Sequence, residues 1–216
     1  MKMKRVLVAG AAVLLSATMY AQEMTVSANR TTFGIRAGVN MYNINGKDAN
    51  DDDLKNGIST GFHAGVNAEI PVGTGSYLQP GILYSMKGAE LQDSKDKIRI
   101  SYVEIPVNFV YKPLLGTGNL LLGFGPYAAF GIGGKVDVGG NETDIEFVND
   151  YEPNNAAPQL KRFDAGANFL AGYEFANKLS FQVNAQLGLL NIAPEGMNDN
   201  IKMKNTGFGL SLGYRF

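Results

Sequence analysis

The sequence predicts an all-β fold: an eight-stranded antiparallel up-and-down β-barrel that crosses a membrane. Three observations predict it. Apolar residues recur at every second position in eight separate segments, the signature of a strand with two unlike faces. The segments are about 10 residues long or longer, which is what a tilted strand needs to cross a bilayer. The connections between them are alternately short and long, as in a barrel with both termini on one side of the membrane.

The first strand is expected from Phe33 to Tyr42, with Phe33, Ile35, Ala37, Val39 and Met41 on one face. The second runs from Thr60 to Pro71, where Phe62, Ala64, Val66, Ala68 and Ile70 alternate with glycines and polar residues. The third runs from Tyr77 to Lys87, with Leu78, Ile82, Tyr84 and Met86 on its apolar face. The fourth, Ile98 to Tyr111, alternates from Val103 onward, but Ile98, Ile100 and Tyr102 are out of phase by one residue, so a β-bulge is expected near Tyr102. The fifth runs from Leu120 to Gly131, the sixth from Phe163 to Phe175, the seventh from Leu179 to Leu190 and the eighth from Asn205 to Phe216.

Three connections are short: Val72 to Ser76, Lys112 to Asn119 and Ala176 to Lys178. Four are longer and polar: Asn43 to Ser59, Gly88 to Lys97, Ile132 to Arg162 and Asn191 to Lys204. The chain begins with a basic stretch, Lys2, Lys4 and Arg5, then an apolar run from Val6 to Met19 and a small residue at Ala21. That is the pattern of a cleaved export signal, and the run is too short for a permanent membrane helix. The expected organisation is a signal peptide over 1–21, a short periplasmic segment over 22–32 and a barrel over 33–216.

Composition agrees. Charged residues are 18% of the chain, below the usual quarter or so of a soluble domain. The 27 glycines argue against helices, since each weakens a helix interior by roughly 1 kcal/mol. There is no cysteine, which excludes a disulfide scaffold, a thiolate zinc site and a lipidated cysteine. Losing Lys2, Lys4 and Arg5 with the signal takes the formal charge from -1 to -4, a poor balance for binding nucleic acid.

If the apolar faces meet lipid, the lumen receives Arg36, His63, Glu69, Glu104, Asp164, Glu174 and Arg215. The reverse would place each arginine in hydrocarbon at about 2–4 kcal/mol. Tyr42, Tyr77, Tyr102, Tyr111, Tyr173 and Tyr214 lie near strand ends and suit an interfacial aromatic girdle. The rival reading is a secreted, lipocalin-like barrel with its apolar face inward. The absence of Trp and Cys weighs against it.

The last strand, Gly207 to Phe216, alternates and ends on an aromatic, with Tyr214 two residues before it. This ending looks like the assembly signal of bacterial outer-membrane proteins. Together with Tyr102-Val-Glu-Ile-Pro-Val107, Gly125-Pro-Tyr127, Phe163-Asp-Ala-Gly166 and Gly172-Tyr-Glu174, it resembles the outer membrane protein β-barrel domain family, often labelled porin-like. The resemblance implies a Gram-negative outer-membrane location, assembly by the barrel assembly machinery, and contact with outer-membrane lipid and lipopolysaccharide. It implies no cofactor and no fixed activity. Eight strands leave a lumen about filled by side chains, so the porin label is discounted.

His63, the single histidine, lies near Ser59 and could serve an outer-leaflet lipid-modifying enzyme; no local motif supports this, and a lumen histidine is expected instead. The charged lumen set is expected to pair across the barrel and plug it, against the alternative of a narrow channel for small solutes. Lys47 to Asp53 is acidic but lacks EF-hand spacing, so no metal site is expected. Gly73-Thr-Gly75 and Gly131-Ile-Gly-Gly134 are turn glycines, since no Lys-Ser/Thr and no helix follows. The long connection Ile132 to Arg162 is the best candidate for binding an unknown extracellular partner. The expectation is a non-enzymatic barrel with an envelope-structural or surface-interaction role through its long loops.

Overall fold

The computed structural model describes residues 30–91, 96–198 and 200–216; the expected signal peptide and most of the expected 22–32 segment lie outside the described residues. Eight long strands carry the fold: β1 (Thr32–Lys47), β2 (Gly57–Gly73), β3 (Ser76–Glu90), β4 (Lys97–Tyr111), β5 (Gly118–Val138), β6 (Phe163–Glu174), β7 (Leu179–Gly188) and β8 (Lys202–Arg215). Each is antiparallel to the next. The ring closes between β8 and β1 in an unbroken register from Gly34↔Arg215 to Lys47↔Lys202. Closure pairs the backbone all the way round and leaves no sheet edge.

The two ends of the barrel differ. At the turn end lie both ends of the strand series and the short connections, one of which forms a small pairing of Leu114–Leu115 with Asn119 and Gly118. At the loop end β1, β3 and β5 run further than the alternation alone indicates. β5 continues to Val138 and turns back through Asn141–Asp144, so part of the longest connection is a hairpin. Two short parallel segments, Glu146–Phe147 and Gln159–Leu160, pair within the same connection.

Below the loop-end rim, outward positions are apolar on every strand; Phe33, Phe62, Ile82, Phe124, Phe169 and Leu212 are all exposed on the barrel's outer surface. Inward positions through the lower and middle parts of the barrel hold mostly glycine and polar or charged residues, with Leu83 and a small buried apolar cluster of Val110, Leu121 and Leu170 among them. Towards the loop end the interior becomes apolar. Ile44, Ala89, Ile98, Ile100, Tyr102, Tyr127, Ala129, Ile145, Leu160 and Ile192 form one buried cluster.

This cluster explains the phase break in β4. The strand keeps its alternation from Ile98 to Val110, with every even residue buried. Ile98, Ile100 and Tyr102 point inward with Glu104 and Asn108, and it is the character of the interior that changes. The irregularity falls on the partner strand. Ser101 pairs Gly133 and Tyr102 pairs Gly131, which leaves Ile132 of β5 as the extra residue. The expected bulge exists opposite Tyr102, on β5 rather than β4.

One glycine is set by close approach. A Cβ on Gly207 would lie 2.6 Å from Cδ1 of Tyr42, on the paired strand. Only a bare backbone there lets the Tyr42 ring lie against β8.

Candidate functional site

The inward side chains form three polar layers under the apolar cap. At the turn end, Glu69 on β2 collects three donors: Arg215 at 2.9 Å, Lys112 at 3.0 Å and Gln79 at 3.0 Å. Lys112 also reaches Glu174 at 2.8 Å, and Arg215 donates to Asn67 Oδ1 at 2.7 Å. Lys112 lies just beyond Tyr111, the last residue of β4, so the even, inward parity of that strand carries it into the lumen. Arg36 has no carboxylate within ion-pair distance among the described residues. It borders a polar cavity of about 10 Å³, no larger than one water, shared with Asn67, Glu174, Gln182 and Arg215.

The middle layer is neutral and centres on His63. Its Nδ1 is 2.7 Å from Asn40 Oδ1 and its Nε2 is 2.7 Å from Ser211 Oγ. The Asn40 amide donates to Ser85 Oγ and Met86 O, both at 3.1 Å. Its Oδ1 therefore accepts, so His63 carries its proton on Nδ1 and accepts from the Ser211 hydroxyl at Nε2. Across the lumen Asn168 donates to Asn108 Oδ1 at 2.9 Å. His63 is thus joined to Ser211 and Asn40 on the strands to one side, and not to Ser59, its neighbour in sequence.

The upper layer centres on Lys87. Its Nζ is 2.9 Å from Glu104 and 3.5 Å from Asp164. The rings of Tyr127, Tyr42 and Tyr102 surround it at 4.1, 5.3 and 5.5 Å. A cation this deep needs both opposite charge and polarizable faces to offset its lost hydration. The carboxylates are held in turn. Gln186 donates to Glu104 at 2.6 Å and accepts from the Tyr42 hydroxyl. Asn205 donates to Asp164 at 3.0 Å, and Tyr127 donates to the same oxygen at 3.4 Å.

Arg36, His63, Glu69, Glu104, Asp164, Glu174 and Arg215 all lie inside the barrel. The geometry splits them into separate clusters at different heights. Glu69, Glu174 and Arg215 meet at the turn end. Glu104 and Asp164 meet near the loop end. Both clusters depend on lysines that sequence reasoning passed over. Lys87 stands on the polar parity of β3, with Gln79 and Ser85, and was readable from it. Tyr42 and Tyr102 do not join an outer girdle; both occupy even, inward positions and are buried against Lys87, at 2% and 0% exposure. Tyr111 and Tyr214 do face outward, and Tyr214 packs edge-on to Phe216 at 5.4 Å.

Residues 20–193 match the family described as outer membrane protein beta-barrel domain. The chain belongs to that family. No curated protein matches it. Among solved structures it is similar to Ail, the attachment invasion locus protein of Yersinia pestis, at 14% identity and a TM-score of 0.43. The same protein in complex with the heparin analogue sucrose octasulfate gives 13% and 0.43. A major outer membrane protein from Thermus thermophilus gives 15% and 0.45. Each comparison covers 87% of this chain and all of the other.

The outer-membrane barrel therefore presents its apolar outer surface to lipid, and its charged rim lies just beyond. On the β3–β4–β5 side that rim is balanced: Lys97 pairs Glu90 at 2.8 Å, while Arg99 at 2.5 Å and Lys135 at 2.7 Å share Glu142. In the first long connection of the barrel, Asp48 accepts from the backbone N–H of Asn50 and Asp52 at 2.8 and 3.0 Å, and Lys47 pairs Asp51 at 3.0 Å. These carboxylates are used in holding their own turn.

The longest connection folds back over the lumen. Ile145, Phe147 and Leu160 enter the apolar cluster, and Lys161 N–H donates to Ile192 O at 2.7 Å, tying it to the fourth connection. Tyr151 to Ala156 curl around an open concavity of about 570 Å³ at the outer surface.

Proposed function

We propose that this outer-membrane barrel is a closed, non-enzymatic scaffold whose loop end faces outside and whose work is done by the surfaces displayed there. One observation carries the reading: the lumen is blocked twice over, by the Lys87–Glu104–Asp164 cluster and by the apolar cap that Ile145, Leu160 and Ile192 complete. A solute path would have to break buried ion pairs, each costly to separate, and then displace packed loop residues. Longer loops outside and short turns inside are the ordinary arrangement for such barrels, which supports the orientation. Outer-membrane lipid, lipopolysaccharide and an external partner of the long loops are the partners this reading names. The assembly machinery is the partner for Tyr214 and Phe216, whose side chains are exposed at the end of the closing strand.

Liposome swelling with small sugars tests the reading. Folded protein should swell liposomes no faster than empty controls; swelling with the smallest sugars would return the narrow channel to first place.

One observation favours an enzymatic reading. Ser211, His63 and Asn40 have the connectivity and tautomer of a nucleophile–base–orienter chain. Its burial opposes that reading: Ser211, His63 and Asn40 are 2%, 4% and 1% exposed, with no room for a substrate beside them. The arrangement reads better as three buried polar groups satisfying one another.

A further inference from the structure

The seam where β8 closes onto β1 carries an outward ladder of cross-strand pairs. From the turn end upward the pairs are Ile35–Tyr214, Ala37–Leu212, Val39–Leu210 and Met41–Phe208, all apolar. Asn43–Thr206 follows, then Asn45–Lys204 and Lys47–Lys202. The change from apolar to cationic takes place within two pairs, and residues two apart along a strand lie about 7 Å apart. The lysines therefore stand directly above the lipid-facing band, at headgroup height.

Two lysines placed opposite each other across a strand pair destabilise that pair. Here Lys47 faces Lys202 with Lys204 beside them. Lys47 has Asp51, and Asp53 lines the same cleft. Lys202 and Lys204 have no carboxylate within 4.0 Å among the described residues. The other side of the rim is the contrast, since Lys97, Arg99 and Lys135 there all have acids. The three lysines line one cleft of about 340 Å³ whose remaining wall includes Leu187, an exposed apolar side chain. Cations above and an apolar wall beside them match a molecule with phosphate at one end and hydrocarbon below.

We propose that the Lys47–Lys202–Lys204 cleft binds the phosphate-bearing headgroup of an outer-leaflet glycolipid, with the acyl chains lying along the Leu187 and Phe208 surface. The lipid supplies the anion that Lys202 and Lys204 lack and fixes the closing strands against the outer leaflet. The inference rests on the outward orientation of the loop end proposed above.

Native mass spectrometry of the protein extracted from its membrane, titrated with phosphorylated lipid A and with its dephosphorylated form, tests this. The phosphorylated form should bind at least about tenfold more tightly, a difference of roughly 1.4 kcal/mol. Lys202→Gln with Lys204→Gln should remove the preference, and Lys202→Arg with Lys204→Arg should keep it. Lys97→Gln with Arg99→Gln, on the balanced side, should leave it unchanged. Unboiled gel mobility confirms that each variant is folded. Equal binding of the two lipids overturns the proposal, as does equal weakening by the Lys97/Arg99 pair. Displacement of lipid A by inorganic phosphate at the same concentration would assign the cleft to a free anion and also overturn it. Proteolysis of the loops on intact cells, scored separately, tells a wrong orientation from a wrong site.

Discussion

Lys87 Nζ lies 2.9 Å from Glu104 Oε2 with both side chains sealed inside the barrel, at 0% and 3% exposure. Asp164, also fully buried, is the second anion at 3.5 Å. The pair links β3 to β4, and Asp164 extends it across the lumen to β6. A cross-barrel ion cluster of this kind does little for net stability when complete, but its partners cannot stand alone.

Removing only the cation should therefore be severe. Lys87→Met leaves two carboxylates in a dry interior and should cost about 3–5 kcal/mol. Urea titration followed by the shift between folded and unfolded gel mobility measures it. Neutralising all three positions together, with Glu104→Gln and Asp164→Asn, should recover most of the loss. A single variant as stable as the native barrel would show that the cluster is not dry.

Ser211 gives a second test, of chemistry rather than stability. A fluorophosphonate should fail to label the folded barrel, because the hydroxyl is buried in the lumen against His63. Ser211→Ala should cost about 1–3 kcal/mol by leaving His63 Nε2 without its donor. Specific labelling of Ser211 in folded protein would restore the enzymatic reading.

The hairpin at the tip of β5 has a predictable pH response. The hydrogen bond from Lys135 holds the Glu142 carboxyl below its ordinary value, with the charges of Lys135 and Arg99 adding to it. The same hydrogen bond raises Lys135. A depressed carboxylate contributes above the ordinary range and loses its contribution as pH falls through the depressed value. The raised lysine contributes fully below the ordinary lysine range and loses its contribution as pH rises through the raised value. Limited proteolysis around Asn141–Asp144 should stay flat between about pH 5 and 9, accelerate in stronger acid as Glu142 is protonated, and accelerate again in strong base as Lys135 loses its proton. Salt should weaken the protection, since the groups are exposed. Glu142→Gln should remove the acid dependence; a rise in cleavage near pH 6 would contradict the assignment.

The fold was legible because period two survives in every strand: Phe33 to Met41 and Leu179 to Leu187 place their apolar side chains outward without interruption. The inward polar set was legible for the same reason. What sequence could not supply was height. Glu69 and Glu104 both point inward but sit in different clusters, because strand stagger, and not spacing along the chain, decides who meets whom across a lumen. Ile98, Ile100 and Tyr102 misled for a related reason. A uniformly polar interior makes them a register fault, whereas an interior that turns apolar under a loop cap makes them its floor. The cap residues Ile145, Leu160 and Ile192 lie in connections, where no periodicity marks a buried position.

The closed lumen is tested most directly by planar-bilayer conductance of the folded protein, with unboiled gel mobility as the folding control. The account predicts a silent bilayer, with no stable current steps at any ordinary salt concentration. Stable, reproducible steps from protein shown to be folded would contradict it and make transport the leading function.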